Sequence, residues 1–369
     1  MSRLDTRMYN ANKFKLGLFC FNCSNGLTMT KAPEHWTLSW DTNVAVARMG
    51  EAAGLEFLVP LARWHGYRGE TDTDGTSFET LTWASGLLAL TEEITVFGTV
   101  HTPYVNPVFA AKQIVTADHI GKGRFGLNVV SGANAGEFRM FGVPMHEHDE
   151  RYALSEEWLT IAKRLWQQTE PFDFHGKHFT LEHVLGKPKL YYGDLIPIMS
   201  AGSSGAGRAF AARHADCLFM VIIDQATLAD EIATLRASAG KRDRVGVFAS
   251  GHVFCKRTQK ETHEYYRYIV HEMGDWEAVE YILSVRKDAH SFPKEKLRAL
   301  SERMVSGTGT FPVIGDPDTV AATFKSLNDA GLDGMAIGFV NYLDDFPLFR
   351  DEVLPRLERI GLREPRLPA

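Results

Sequence analysis

The chain has 369 residues and a formal net charge of −6. Its charges run without long blocks of one sign, which excludes the basic footprint of a nucleic-acid binder and a polybasic membrane patch and leaves small neutral or weakly charged ligands as the natural partners. Four cysteines, Cys20, Cys23, Cys217 and Cys255, are too few and scattered for a disulfide framework. With neither an N-terminal hydrophobic signal nor an apolar run of about 18 residues, a soluble, cytoplasmic protein is expected.

Residues 1–13 read as a polar arm, and Phe14–Phe21 as a first strand with Gly17 packed close. Cys20 and Cys23 have C-x-x-C spacing, but at the end of a strand rather than at a helix start, which argues against thiol catalysis. Residues 22–42 form a first insertion, too long for a bare connection and expected to be a lid or binding loop. Asn43–Ala53 has helical periodicity. Leu55–Leu61 is a second strand, carrying Val59, that opens into Ala62-Arg-Trp-His-Gly-Tyr-Arg-Gly69, read either as a solvated basic turn or as a pocket wall. Trp36, Trp40, Trp64 and Tyr67 either line a cavity or simply pack.

Ser77–Leu90 reads as a helix and Ile94–Thr102 as a strand that carries Thr99 and His101 toward Tyr104. Asn106-Pro107 supplies an N-cap and a first-turn proline. The central stretch, Gly123-Arg-Phe-Gly-Leu-Asn-Val-Val-Ser-Gly132, is an apolar strand interrupted by one amide, Asn128. It breaks into a loop holding Ala133 and Glu137 and reaches a helix start at His148. His146 and His148 with their acidic neighbours could suggest metal ligands. Acidic residues also suit a helix N-terminus, and no metal is expected.

Phe172–Leu181 alternates around a glycine as a hairpin does, inside a second insertion near 168–195. Ile196–Ala201 is a strand ending in Gly202-Ser-Ser-Gly-Ala-Gly207. Ser203, Ser204 and Gly205 there form either a phosphate-sized anion site at a helix start or a close turn with a serine cap. Cys217–Ile223, Val245–Phe254 and Gly334–Val340 are three more strands, and residues 271–314 read as a third insertion lacking strand character. Eight strands alternating with helices predict the α/β class: a TIM (β/α)8 barrel with insertions, one domain over residues 1–369.

The motifs Gly123–Gly132, Glu137-Phe138, Glu147-His-Asp-Glu-Arg-Tyr152 and Ser200-Ala-Gly-Ser-Ser204 resemble the successive signatures of the bacterial-luciferase-like flavin monooxygenases. Within them the likeness is nearest to the pyrimidine, dimethyl sulfone and alkanesulfonate monooxygenase group, and it extends from about Lys15 to Arg359. The resemblance implies a barrel that binds reduced FMN (FMNH2) from a separate NAD(P)H:flavin reductase and uses O2 to oxygenate a small organic substrate. It also implies a homodimer or homotetramer.

Carried over, Ala62, Arg63, Asn128, Glu137, Arg151, Tyr152, Ser203, Ser204 and Gly205 would contact the cofactor. By their own positions on adjacent strands, Asn128 and Thr99 suit an edge of the flavin or the activated oxygen, Asn128 alternatively tying the strands together. His101 and Tyr104, beside Thr99, line the substrate pocket or include a hydrogen-bonded structural histidine, and Val59 and Ala133 are placed with the substrate. Ala133 stands where near relatives carry tryptophan, which would leave room for a bulkier substrate or change how oxygen is shielded. Two alternatives on the same fold are an F420-dependent hydride-transfer oxidoreductase and a non-catalytic flavin-binding protein.

Overall fold

The computed structural model describes residues 2–365 apart from 194, 203, 239–244 and 286–293. The strands are β1 (Lys15–Phe19), β2 (Phe57–Val59), β3 (Thr95–His101), β4 (Phe125–Val130), β5 (Phe172–His175), β6 (Thr180–Val184), β7 (Ile198–Ser200), β8 (Cys217–Met220), β9 (Gly246–Cys255), β10 (Phe311–Gly315) and β11 (Gly334–Gly338). Six helices bear on the site: α1 (Trp40–Ala52), α2 (Thr80–Leu90), α3 (Pro107–Ile120), α4 (Ala135–Met140), α5 (His148–Gln167) and α6 (Gly205–His214). Nine strands share one sheet in the order β10-β9-β11-β1-β2-β3-β4-β7-β8, and β9 also pairs with β8. The fold is therefore a closed (β/α)8 barrel, and its eight strands are those expected from the sequence.

The chain divides into two compact units. The first comprises residues 1–10, 79–220 and 233–246. In it β3 runs parallel to β4 with Thr99 opposite Asn128 and His101 opposite Val130, and β4 runs parallel to β7 with Asn128 opposite Met199. Asn106 caps α3 as expected, its side-chain oxygen accepting from the backbone N–H of Val108 at 2.9 Å. The aromatic side of α5 is buried: the indoles of Trp158 and Trp166 donate to the carbonyls of Val105 and Ala111. Arg124 is buried too, and its guanidinium ties the end of α2 to the strand that follows through the carbonyls of Leu88, Thr91 and Ile94.

Strands β5 and β6 form the expected antiparallel hairpin. Glu157 of α5 holds its turn by accepting from the backbone N–H groups of Lys177, His178 and Phe179. Phe172 is buried beneath the Arg164 guanidinium. The N-terminal arm also departs from its polar reading: Arg3 is buried against Asp118 of α3.

The second unit comprises residues 11–78, 221–232 and 247–369. Strand β1 lies parallel between β11 and β2, and β9 runs parallel to both β11 and β10. A Cβ on Gly17 would stand 2.2 Å from the Phe57 ring, which accounts for glycine in the middle of β1. The insertion after β1 is tied down: the Trp36 indole donates to the Phe21 carbonyl and the Thr30 hydroxyl to that of Ile269. Residues 271–314 correct the expectation of no strand, because they contain helices and most of β10.

Candidate active site

Two neighbouring parallel strands of the first unit bring Asn128 and Thr99 together. Strand alternation sends Leu127 and Val129, both fully buried, to one face and leaves the half-buried Asn128 on the other. Its amide nitrogen donates to the Thr99 hydroxyl at 3.1 Å, while its carbonyl oxygen is buried without a partner. A buried amide oxygen left unbonded costs about 1–3 kcal/mol, so this atom is placed to meet a donor. With the amide turned over, the Thr99 hydroxyl can donate instead of accept, and the open end of Asn128 becomes an N–H.

An aromatic wall stands at the carboxyl ends of these strands. Tyr104 stacks on Phe141 with ring centroids 4.5 Å apart, meets Phe138 edge-on at 5.0 Å and lies 5.2 Å from His101. Gly132, at φ +75°, lets the chain turn beneath it, where an added Cβ would crowd Phe138 and Tyr104. Ala133 is exposed, and Glu137 is buried in α4, whose start is capped by Asn134. The Ser155 hydroxyl joins Thr102 and Ser131, each at 2.7 Å, so α5 locks the ends of both strands.

The glycine turn after β7 is the third component. Ser204 caps α6, accepting from Gly207 N–H at 3.1 Å, and the Tyr152 hydroxyl lies against Gly207 in the same turn. Burial raises the Tyr152 pKa, with Ser204 opposing, so the phenol stays a neutral donor. Arg151 donates one guanidinium nitrogen to the His146 carbonyl, while its Nε is buried without a partner. Gly202 and Gly207 touch so closely that a Cβ on either would fall within 2.6 Å of its neighbours, Tyr152 included. The sequence left open whether this was an anion site or a capped turn. The structure contains the cap. Gly205 opens α6, and Ser203 lies outside the described residues.

In the second unit Val59 is buried at the end of β2 and pairs with Phe19. Ala62 and Arg63 follow it, half-buried; the Arg63 guanidinium lies 4.8 Å from the Tyr67 ring and donates to its hydroxyl. Sequence reading missed the residue that positions this loop. The fully buried Asn22 accepts from Leu61 N–H and donates to the Leu61 carbonyl, both at 2.9 Å, imitating one more rung of sheet. Trp36 belongs to the core, whereas Trp40 and Trp64 are exposed. His146 sits against His178, and His148 bonds Asp149. The described residues whose metal-ligating atoms converge are instead Cys20, Cys23 and Asp74. Among the described residues no helix is long and apolar enough to cross a membrane.

Comparison with known proteins places these features in a family. The Luciferase-like monooxygenase profile matches residues 14–334. An FMNH(2)-dependent dimethylsulfone monooxygenase of Pseudomonas putida is 30% identical, covering 92% of this chain and 94% of its own. Pyrimidine monooxygenase RutA of Acinetobacter baylyi is 27% identical, with 92% and 94% covered. Among solved structures, DmoA from Hyphomicrobium sulfonivorans superposes with a TM-score of 0.85 at 19% identity, over 97% of this chain and 90% of that one, a likeness of fold.

Proposed function

The chain belongs to the luciferase-like monooxygenase family, and from that premise we propose that it is the oxygenating half of a two-component system. It would take reduced FMN from a separate NAD(P)H:flavin reductase and use O2 to oxygenate a small organic molecule, as the names of its FMNH(2)-dependent relatives suggest. The observation that carries this reading is Asn128, a buried amide fixed at one end by Thr99 and unsatisfied at the other. With the amide turned so that its oxygen accepts from the Thr99 hydroxyl, an N–H donor held in place beforehand faces the open end, as the negative charge developing on oxygen requires.

The residues present fit FMN. The unpartnered Nε of Arg151, the Tyr152 phenol, Ser204 and the start of α6 supply the donors a phosphate monoester requires. When bound, reduced flavin supplies the electrons that activate O2. The chain contributes position and dipoles: Tyr104 with Phe138, Phe141 and His101 offers the substrate a flat apolar surface with one polar edge, and the exposed Ala133 leaves space beside it.

No G-x-G-x-x-G fingerprint follows a strand, so nicotinamide chemistry is assigned to the partner reductase. Reconstitution tests the assignment. Substrate-dependent O2 uptake with FMNH2, and mass-spectrometric detection of oxygenated products from sulfur-containing, heteroaromatic and halogenated compounds, are the expected results. Hydride transfer to F420 without O2 uptake would favour the alternative, and NADH oxidation by the purified chain alone at comparable rates would remove the need for a reductase.

A further inference from the structure

In the second unit, β1 runs directly into Cys20, whose φ of +66° turns the chain back so that Cys23 N–H meets the Cys20 carbonyl at 3.2 Å. From fifty residues further on, Asp74, itself at φ +64°, enters the same spot, held by a bond from its backbone N–H to the Ser24 carbonyl. All three side chains are buried, none more than 1% exposed. The Cys20 sulfur lies 3.7 Å from one Asp74 carboxylate oxygen, and one ligand atom from each of the three lies within 4.8 Å of the others. The second Asp74 oxygen is buried without a partner.

This arrangement is unfavourable as it stands. Among the described residues the thiols have only long contacts, Cys20 with the Gly26 carbonyl at 3.5 Å and with Asp74 at 3.7 Å, and Cys23 with the Leu61 carbonyl at 3.6 Å. Left-handed backbone at two non-glycine residues, Cys20 and Asp74, adds strain. A divalent cation answers both the unpartnered oxygen and the two thiols.

We propose that Cys20, Cys23 and Asp74 bind one divalent cation of the zinc class as a closed structural site. Zinc with sulfur at about 2.3 Å and oxygen at about 2.0 Å in a tetrahedron puts sulfur and oxygen about 3.5 Å apart, close to the 3.7 Å between Cys20 and Asp74. Two thiolates select this class over magnesium or calcium, which prefer all-oxygen shells. The Gly26 carbonyl oxygen, 3.5 Å from the Cys20 sulfur, completes the shell. Binding releases the two thiol protons, and the carboxyl proton when present, to solvent. Two thiolates, one carboxylate and a dication sum to a single negative charge, which the Arg63 guanidinium offsets. The cation would tie the end of β1, the long loop after it and the 62–78 loop into one body. The inference does not depend on the oxygenase reading.

The test is to purify the full chain without chelators, measure bound metal by plasma mass spectrometry, and refold a second sample with one equivalent of Co2+. The expected result is about one zinc per chain, a thiolate-to-cobalt charge-transfer band, and a higher melting temperature with metal than after chelation. Cys20→Ser, Cys23→Ser and Asp74→Asn should each lower the bound metal. Those variants could fail to fold, so the parental chain decides: a folded protein holding no metal above background and giving no cobalt–thiolate band overturns the site. Mass mapping that finds a Cys20–Cys23 disulfide in the native protein overturns it as well.

Discussion

Arg3 grips Asp118 through both terminal guanidinium nitrogens, at 3.0 and 3.1 Å, with neither side chain more than 2% exposed. The same guanidinium donates to the Gly123 carbonyl, and Asp118 also accepts from Tyr191 N–H, so the arm, α3 and the segment before β7 meet at one ion pair. Arg3→Ala would leave a carboxylate buried without its counter-charge, and a loss of about 3–5 kcal/mol is expected. Replacing both partners with leucine should recover much of it, because the penalty lies in the isolated charge. Urea denaturation of the two variants checks this; equal losses for the single and the double replacement would count against it.

The eight barrel strands were legible because each is a short apolar run ended by glycine, proline or a polar loop. Strand β10 was not. It carries Pro312, which reads as a strand breaker, and it is tolerated because β10 lies at the end of the sheet order and pairs only with β9. The Arg3 clamp was invisible for another reason: its partner is 115 residues away and nothing local distinguishes a paired arginine from a solvated one. In the candidate site, strand ends and the glycine turn could be placed from sequence, and Asn128 stood out as the one amide in an apolar run. What could not be read was convergence: Ser155 onto two strand ends, Asn22 onto the loop holding Ala62 and Arg63, and Asp74 onto Cys20 and Cys23.

Ser204 caps α6 and is proposed to bind the FMN phosphate, and these roles are separable by measurement. Ser204→Ala should cost about 1 kcal/mol of stability from the lost cap. It should also weaken FMN binding about ten- to a hundred-fold, the range for a hydrogen bond to a charged group of about 1.5–3 kcal/mol. Arg151→Met should weaken binding at least as much while leaving the cap in place. Fluorescence titration with FMN, alongside thermal melts, distinguishes the two effects. Unchanged affinity in both variants would remove the phosphate from this turn.

Acid stability should report on His252. Its Nδ1 lies 2.8 Å from the Thr310 hydroxyl, and its Nε2 is buried without a partner. Burial, with Arg303 adding to it, pushes its pKa from 6.5 down to about 3. Between those values the unfolded chain binds a proton that the folded chain refuses, so stability present above pH 6.5 is lost as pH falls toward 3. His252→Gln keeps a group able to bond Thr310 and removes the titration. Its denaturation midpoint should therefore fall less than that of the parent between pH 7 and pH 5, and parallel falls would show that other groups control this window.

Asn128 should govern oxygen chemistry more than flavin affinity. Among the described residues its amide bonds the Thr99 hydroxyl alone, and Thr99 is held in turn by the Thr80 hydroxyl, which donates to the Thr99 backbone carbonyl at 2.5 Å. The pair is therefore positioned before any ligand arrives, and only the open end of the amide answers to what binds. If that end meets charge that grows during the reaction, the interaction strengthens toward the transition state and lowers the barrier; if it merely ties strands together, it does not. Asn128→Leu keeps the approximate volume and removes the dipole. Turnover to oxygenated product should drop about a hundred- to a thousand-fold, with FMNH2 affinity changing far less and O2 consumption running on without product. Stability should hold or rise, because the change also removes an unsatisfied buried oxygen. A folded Asn128→Leu variant that couples O2 to product at the parental rate would reduce this amide to a strand tie, and the proposed oxygen site would have to be sought elsewhere in the barrel.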